Sequence, residues 1–230
     1  MSSLKKIAAK LVTTLFPRLS YGVRAYSSEG EDLILQRIFD KKQQGVYIDV
    51  GAHHPFRVSN TYLLYKQNWT GINIDPMPGS KALFNRYRPK DINLEIGVSV
   101  VKQQLTYFIF NEPALSTFSP EKVKEYTQVP KYRVIGEKKI DTWPLAEILD
   151  MYLAKDSKID ILTIDAEGLD MEVLRSNNWD KYRPAYVLAE SPPFDVLQAE
   201  QSQLCQFMQT VGYRMFAKTY YTYFFKNMNM

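Results

Sequence analysis

Cysteine is nearly missing from this chain: Cys205 is the only one in 230 residues. An internal disulfide and any cysteine-rich zinc site are therefore excluded, and a reducing cytoplasm is the expected location, with the inner membrane face as a second one. Histidine is almost as scarce, with His53 and His54 side by side and no other. No apolar run approaches the length of a membrane span. Lys10 interrupts the N-terminal apolar segment that a signal peptide would need, so secretion is not expected. Repeats and low-complexity tracts are absent. The net charge of +4 is mild, and the Lys and Arg residues are spread rather than clustered, so a nucleic-acid surface is not indicated. What is present is enough apolar material, 45% of residues, for one well-cored domain, and rather little for two.

Two stretches organise the chain. Val46-Tyr-Ile-Asp-Val-Gly-Ala-His-His-Pro55 is a short apolar run reaching Asp49, then Gly51, then the two imidazoles. Gly71-Ile-Asn-Ile-Asp75 is a second apolar run ending on a carboxylate. Both read as buried parallel strands that deliver polar residues at their carboxyl ends, the edge where open α/β sheets bind ligands. Gly51 allows a close backbone approach to a ligand, and Asp75 suits the two hydroxyls of a ribose. The pattern is that of a nucleoside-cofactor site.

Around these strands the sequence alternates. Residues 4–16 form a basic amphipathic segment stopped by Pro17, which either docks on its own domain or a second subunit, or lies on an anionic membrane. With the linker to residue 25 it precedes a single domain over 26–230. Ser28 and Glu31 fit a capping box at a helix start. The same helix start, just before the first strand, also places Glu31 or Ser27 to meet the cofactor's amino-acid end. Ser59 caps a short helix, Gly79-Ser80 opens another, and Ile92–Val100 reads as a third strand with Gly97-Val98-Ser99 at its carboxyl end. Leu105–Phe110 is a candidate extra strand. Residues 111–133 read as a long loop with one helical turn at 121–126, the place for substrate selectivity. Thr142 caps a helix to Tyr152, Ile159–Asp165 is a strand, and Tyr186–Ala189 delivers Glu190. A helix from Leu197 stops at Gly212, and Tyr213–Phe216 with Tyr221–Phe225 close the chain as an antiparallel hairpin. The expected fold is α/β, doubly wound, with a mostly parallel seven-stranded sheet and an antiparallel last hairpin.

The turn after the first strand lacks G-x-G-x-x-G, so a nicotinamide dinucleotide has no glycines to admit its pyrophosphate. An acid stands close before Gly51, which repels a pyrophosphate but not the cationic end of S-adenosylmethionine. The antiparallel ending points the same way, toward a class I methyltransferase sheet. Tyr26-Ser-Ser-Glu-Gly-Glu-Asp32, Tyr47-Ile-Asp-Val-Gly-Ala-His-His-Pro55, Asn60-Thr-Tyr62, Gly71-Ile-Asn-Ile-Asp-Pro76 and Ile164-Asp-Ala-Glu-Gly168 together resemble the FkbM family of S-adenosylmethionine-dependent O-methyltransferases. The blocks match in order over roughly residues 26–190. The resemblance implies methyl transfer to a hydroxyl of a sugar, glycan or related natural product. It also implies that Asp49 and Gly51 line the methionine end, that Asp75 holds the ribose, and that Gly97, Val98 and Ser99 flank the adenine. His53-His54-Pro55 stand where the wider class often has a second glycine.

Methyl transfer is an in-line displacement that needs positioning and removal of a hydroxyl proton. His53, His54, Asp165, Glu167 and Glu190 are all projected to the carboxyl ends of the strands and are the candidate bases. Each has a plainer role open to it: the histidines in hydrogen bonds across a tight turn, Glu167 as a helix cap. Asp165, Glu167 and Glu190 with a histidine also suit a divalent cation such as Mg2+. Trp69, Trp143 and Trp179 read as packing residues. Two further readings stay open, a nicotinamide-dependent oxidoreductase on a related sheet and a non-catalytic binding module. The acceptor, the regiochemistry and homo-oligomer formation are not fixed by sequence.

Overall fold

The computed structural model describes residues 14–16, 22–192 and 195–229. Most of the amphipathic segment at 4–16 lies outside them. The elements run α1 (Glu31–Ile38), β1 (Val46–Val50), α2 (Tyr62–Tyr65), β2 (Thr70–Ile74), α3 (Ser80–Tyr87), β3 (Ile92–Leu94), β4 (Gly97–Val98) and β5 (Gln103–Phe110). After a 3-10 turn at Pro113–Leu115 come α4 (Pro120–Tyr126), β6 (Val134–Trp143), α5 (Leu145–Tyr152), β7 (Ile161–Ile164), α6 (Asp170–Arg175) and β8 (Tyr186–Glu190). The chain then continues through α7 (Val196–Ala199), α8 (Gln203–Thr210), β9 (Tyr213–Lys218) and β10 (Thr222–Asn227).

Seven strands form the main sheet in the order β3-β2-β1-β7-β8-β10-β9. The first five positions in that order pair in parallel, and β10 runs antiparallel to both β8 and β9. The central strands are apolar because both of their faces are covered. On one face Ile48, Val50, Ile72, Ile74, Leu162, Ile164 and Val187 pack under helices α5, α6 and α8. On the other, Tyr47, Ile161, Leu188 and Phe224 pack with Leu35 of α1 and Leu64 of α2. Alternation along β1 therefore decides which side chains can reach a ligand. Tyr47 and Asp49 point to the α1–α2 face, Ile48 and Val50 to the other.

The α1–α2 face contains a polar knot. Arg88 is fully buried. Its Nε donates to Asp91 Oδ2 (2.9 Å), and its Nη2 donates to Tyr47 Oη (2.6 Å) and Thr61 Oγ1 (2.9 Å). Tyr47 Oη donates in turn to Asp91, and Thr61 Oγ1 donates to Asp49 Oδ2 at 2.5 Å.

The sequence expectation for residues 92–100 needs correction. One strand was expected, and two short ones form, because the chain leaves the main sheet after Leu94. Gly97 and Val98 instead pair in parallel with Thr142 and Trp143, giving a three-stranded sheet in the order β4-β6-β5. β5 pairs antiparallel with β6 along its full length. Strand β6 was not legible in sequence, since Glu137, Lys138, Lys139 and Asp141 are all exposed and give no apolar signal. The expected Ser28–Glu31 capping box is also absent. Gly30 is the N-cap, in the left-handed region at φ 87, with no side-chain cap. Thr142 lies within β6 rather than capping α5. The helix expected from Leu197 forms as two, α7 and α8.

Candidate active site

A cavity of about 400 Å³ opens at the carboxyl ends of β1, β2, β7 and β8, roofed by the three-stranded sheet and the segment that follows β5. Its volume suits a small-molecule ligand. The floor is built where strands end. Gly51 has φ 76, and a Cβ there would lie 1.8 Å from the carbonyl oxygen of Asp165. Glycine is thus required by the neighbouring strand end, a different reason from the ligand approach expected of it. His53 follows, also left-handed at φ 52. Its backbone N–H donates to Asp75 Oδ2 (2.7 Å), and that of Met77 donates to Oδ1 (2.8 Å). Asp75 is thereby locked with lone pairs to spare. Burial lifts its carboxyl to about 6, against the opposing pull of those two N–H donors.

Across the floor, Asp165, Glu167 and Glu190 line the same cavity. Burial first, and then the Glu190 and Glu167 carboxylates, push Asp165 well above the ordinary range. Burial, followed by Asp170 and Glu167, lifts Glu190 to about 8. Glu167 rises to about 7, chiefly through burial, although Tyr126 Oη donates to its Oε2. Asp165 Oδ1 and His53 Nε2 are buried without a hydrogen-bond partner. Such orphaned atoms are costly unless a ligand meets them. Burial and the nearby Arg57 depress His53 to about 4, so its imidazole is neutral at physiological pH.

Of the residues expected from sequence, the structure brings Gly51, His53, Asp75, Gly97, Val98, Asp165, Glu167 and Glu190 to one cavity. Five others do not line it. Asp49 points to the opposite face, where it accepts from Thr61. Ser27 Oγ donates to Asp32 (2.8 Å), and Glu31 is buried, accepting from Thr222 Oγ1 (2.9 Å). Their neighbours Ser28 and Glu29 line the cavity instead. Ser99 shares a hydrogen bond with Thr142 (2.7 Å). His54 Nδ1 accepts the N–H groups of Phe56 and Arg57, the turn-bridging role.

Sequence reasoning missed Tyr107 and Tyr221, both lining residues. Only the expectation that residues 111–133 touch substrate pointed toward this roof, and Pro113, Ser116 and Thr117 from that segment do line the cavity. Thr117 Oγ1 donates to the Glu167 carbonyl (2.9 Å), fastening roof to floor. Among the described residues no three His, Cys, Asp or Glu side chains converge closely enough to hold a metal ion, so the donor set expected of Asp165, Glu167 and Glu190 does not form.

The strand order, the antiparallel last pair and a ligand cavity at the carboxyl edge define a methyltransferase-type α/β domain. The model of the methyltransferase FkbM domain matches residues 49–215, and the chain belongs to that family. Among solved structures, a candidate RNA methyltransferase from Pyrococcus horikoshii is similar at 10% identity and a TM-score of 0.43, over 86% of this chain and 83% of that one. A TehB-like SAM-dependent methyltransferase from Corynebacterium glutamicum is similar at 9% identity and a TM-score of 0.41, over 96% of this chain and 99% of that one. A candidate O-methyltransferase from Klebsiella pneumoniae is similar at 11% identity and a TM-score of 0.41, over 96% of both chains. No curated protein matches the chain. No helix among the described residues is long and apolar enough to cross a membrane.

The cavity fits the cofactor of the family. Glu29, Asp75, Asp165, Glu167 and Glu190 give its lining five carboxyl groups, and no Lys or Arg lines it among the described residues. A cationic sulfonium is at home in such a site, whereas a pyrophosphate is repelled.

Proposed function

We propose that this methyltransferase transfers the methyl group of S-adenosylmethionine to a hydroxyl oxygen, on an uncharged sugar, glycan or related natural product. The observation that carries the reading is the buried, partnerless Asp165 Oδ1 in a cavity rich in carboxyl groups. Asp75 would hold the ribose, the turn from Gly51 to His53 the methionine end, and Gly97 with Val98 the adenine. When bound, the cofactor supplies an electrophilic methyl carbon on a sulfonium sulfur. Asp165 would accept the acceptor's hydroxyl proton, the methyl carbon would pass to that oxygen, and the electron pair of the carbon–sulfur bond would stay on sulfur. A carboxyl raised above the ordinary range is a stronger base than an ordinary one. Glu190 and Glu167 raise that basicity further as they ionise with rising pH. His53 Nε2 orients the hydroxyl by hydrogen bonding. The lining carries five carboxyl groups and, among the described residues, no Lys or Arg, which favours neutral acceptors over phosphate-bearing ones such as RNA.

The test is transfer of tritiated methyl from S-adenosylmethionine to panels of neutral glycans, phosphorylated sugars and RNA, alongside calorimetric titration with S-adenosylhomocysteine. Label is expected in an ether linkage on a neutral acceptor. Asp165→Asn is expected to lower turnover about 100- to 10,000-fold while S-adenosylhomocysteine affinity stays within a few fold. Turnover at the wild-type level in Asp165→Asn removes Asp165 from the role of base, and label confined to RNA overturns the acceptor class.

A further inference from the structure

The family reading does not say how this site separates its substrate cofactor from its product, which differ by one methyl group and one positive charge. Three carboxyl groups, Asp165 after β7, Glu167 in the following turn and Glu190 at the end of β8, share a single cavity. Further charges face them from each surrounding element. Asp170 of α6 accepts the Glu190 N–H at 3.2 Å, and Glu29 and Glu31 approach from the start of α1. Asp49 acts on Asp165 from β1. From α4 come the Tyr126 hydroxyl, Glu125 and Lys122, the last a cation that opposes the rise of Glu167. His53 and Asp75 close the far side. Against this surplus of negative charge the lining sets no Lys or Arg among the described residues, and Asp165 Oδ1 has no partner.

Like charges held in one desolvated space destabilise one another, and a cation that enters relieves them. A neutral molecule of the same shape gives no such relief. We propose that Asp165, Glu167 and Glu190 form a charge filter that binds the sulfonium cofactor in preference to its uncharged thioether product, so that methyl transfer itself weakens the enzyme's hold on what remains. Because Glu190 and Glu167 ionise around neutrality, the filter strengthens as pH rises, while the sulfonium charge does not titrate. This inference rests on the cofactor assignment above and concerns the same site.

The experiment is calorimetric titration of the full chain with S-adenosylmethionine and with S-adenosylhomocysteine, at about pH 6 and about pH 8. The filter predicts that S-adenosylmethionine binds about tenfold or more tightly than S-adenosylhomocysteine at the higher pH, and that the ratio shrinks severalfold at the lower one. Glu190→Gln should shrink the ratio at high pH as well. The wild-type pH comparison stands without the variant, so a misfolded Glu190→Gln protein does not remove the test. Equal affinities at both pH values, or tighter binding of S-adenosylhomocysteine, overturn the filter and leave the cofactor assignment intact. Binding of neither ligand overturns the cofactor assignment itself.

Discussion

Replacing Gly51 by alanine separates two reasons for a glycine at the end of β1. Its φ of 76 lies in the left-handed region, which costs a residue with a Cβ about 1–2 kcal/mol. That cost is shared by Gly79 at φ 89 and Gly30 at φ 87, where nothing lies within 4 Å of the added carbon. At Gly51 the added Cβ would sit 1.8 Å from the Asp165 carbonyl oxygen, a backbone atom that no rotamer change can move. The ends of β1 and β7 must therefore part, at a further cost of about 1–3 kcal/mol by analogy with overpacked cores. Gly51→Ala should lose about 2–5 kcal/mol in urea unfolding, against about 1–2 kcal/mol for Gly79→Ala. In thermal unfolding each kcal/mol corresponds to roughly 2–4 °C for a domain of this size. The displaced Gly51–His53 turn should weaken S-adenosylhomocysteine binding in Gly51→Ala, and binding should be unchanged in Gly79→Ala. A Gly51→Ala protein as stable as Gly79→Ala would refute the strand-contact argument. If that protein also lost ligand binding, the glycine would be serving ligand approach, as its sequence context suggested.

Two further predictions concern buried charge. Arg88→Met leaves Asp91 and Asp49 facing each other without their cation, and should cost about 3–5 kcal/mol in urea unfolding; a loss under 1 kcal/mol would show that water or protonation replaces the arginine. Glu190, Glu167 and Asp165 have folded-state pKa values raised above the unfolded carboxyl value, so they bind more protons folded than unfolded, and stability falls as pH rises through the folded values. The ligand-free protein should thus be more stable at about pH 6.5 than at about pH 8, by about 1 kcal/mol or more. Below that window His53, depressed to about 4, works in the opposite direction, so thermal midpoints should be compared within it. A flat profile would mean that the three carboxyls are better solvated than their burial implies.

The parallel core was legible because β1, β2, β7 and β8 are short apolar runs punctuated by acids, and that period survives in any context. The position of Asp75, Asp165 and Glu190 at the cavity, where those strands end, was legible for the same reason. Asp49 was misjudged because strand alternation turns it away from Val50, and a one-residue difference changes the face. The start of α1 failed similarly, with Ser28 and Glu29 at the cavity in place of Ser27 and Glu31. The roof was the least visible part. Its strand β6 is mostly exposed and held by pairing with β5, and cross-strand pairing leaves no mark in a single stretch of sequence. Tyr107 reaches the cavity from β5, and Phe118 follows the bridge between Phe108 and Thr117.

The roof departs from and returns to the rest of the chain at one place. Gly97 lies beside Thr142, and Val98 beside Trp143, so everything from Ser99 to Asp141 hangs from a doorway two residues wide. Lengthening or shortening such an excursion changes loop-closure entropy only slowly and leaves its hinge posts where they are. The floor of the cavity, with Gly51, Asp75 and Asp165, is written in other parts of the chain. If the roof sets acceptor preference, as we propose, that preference is an exchangeable cassette: a relative's roof spliced in at this doorway is expected to retarget the enzyme.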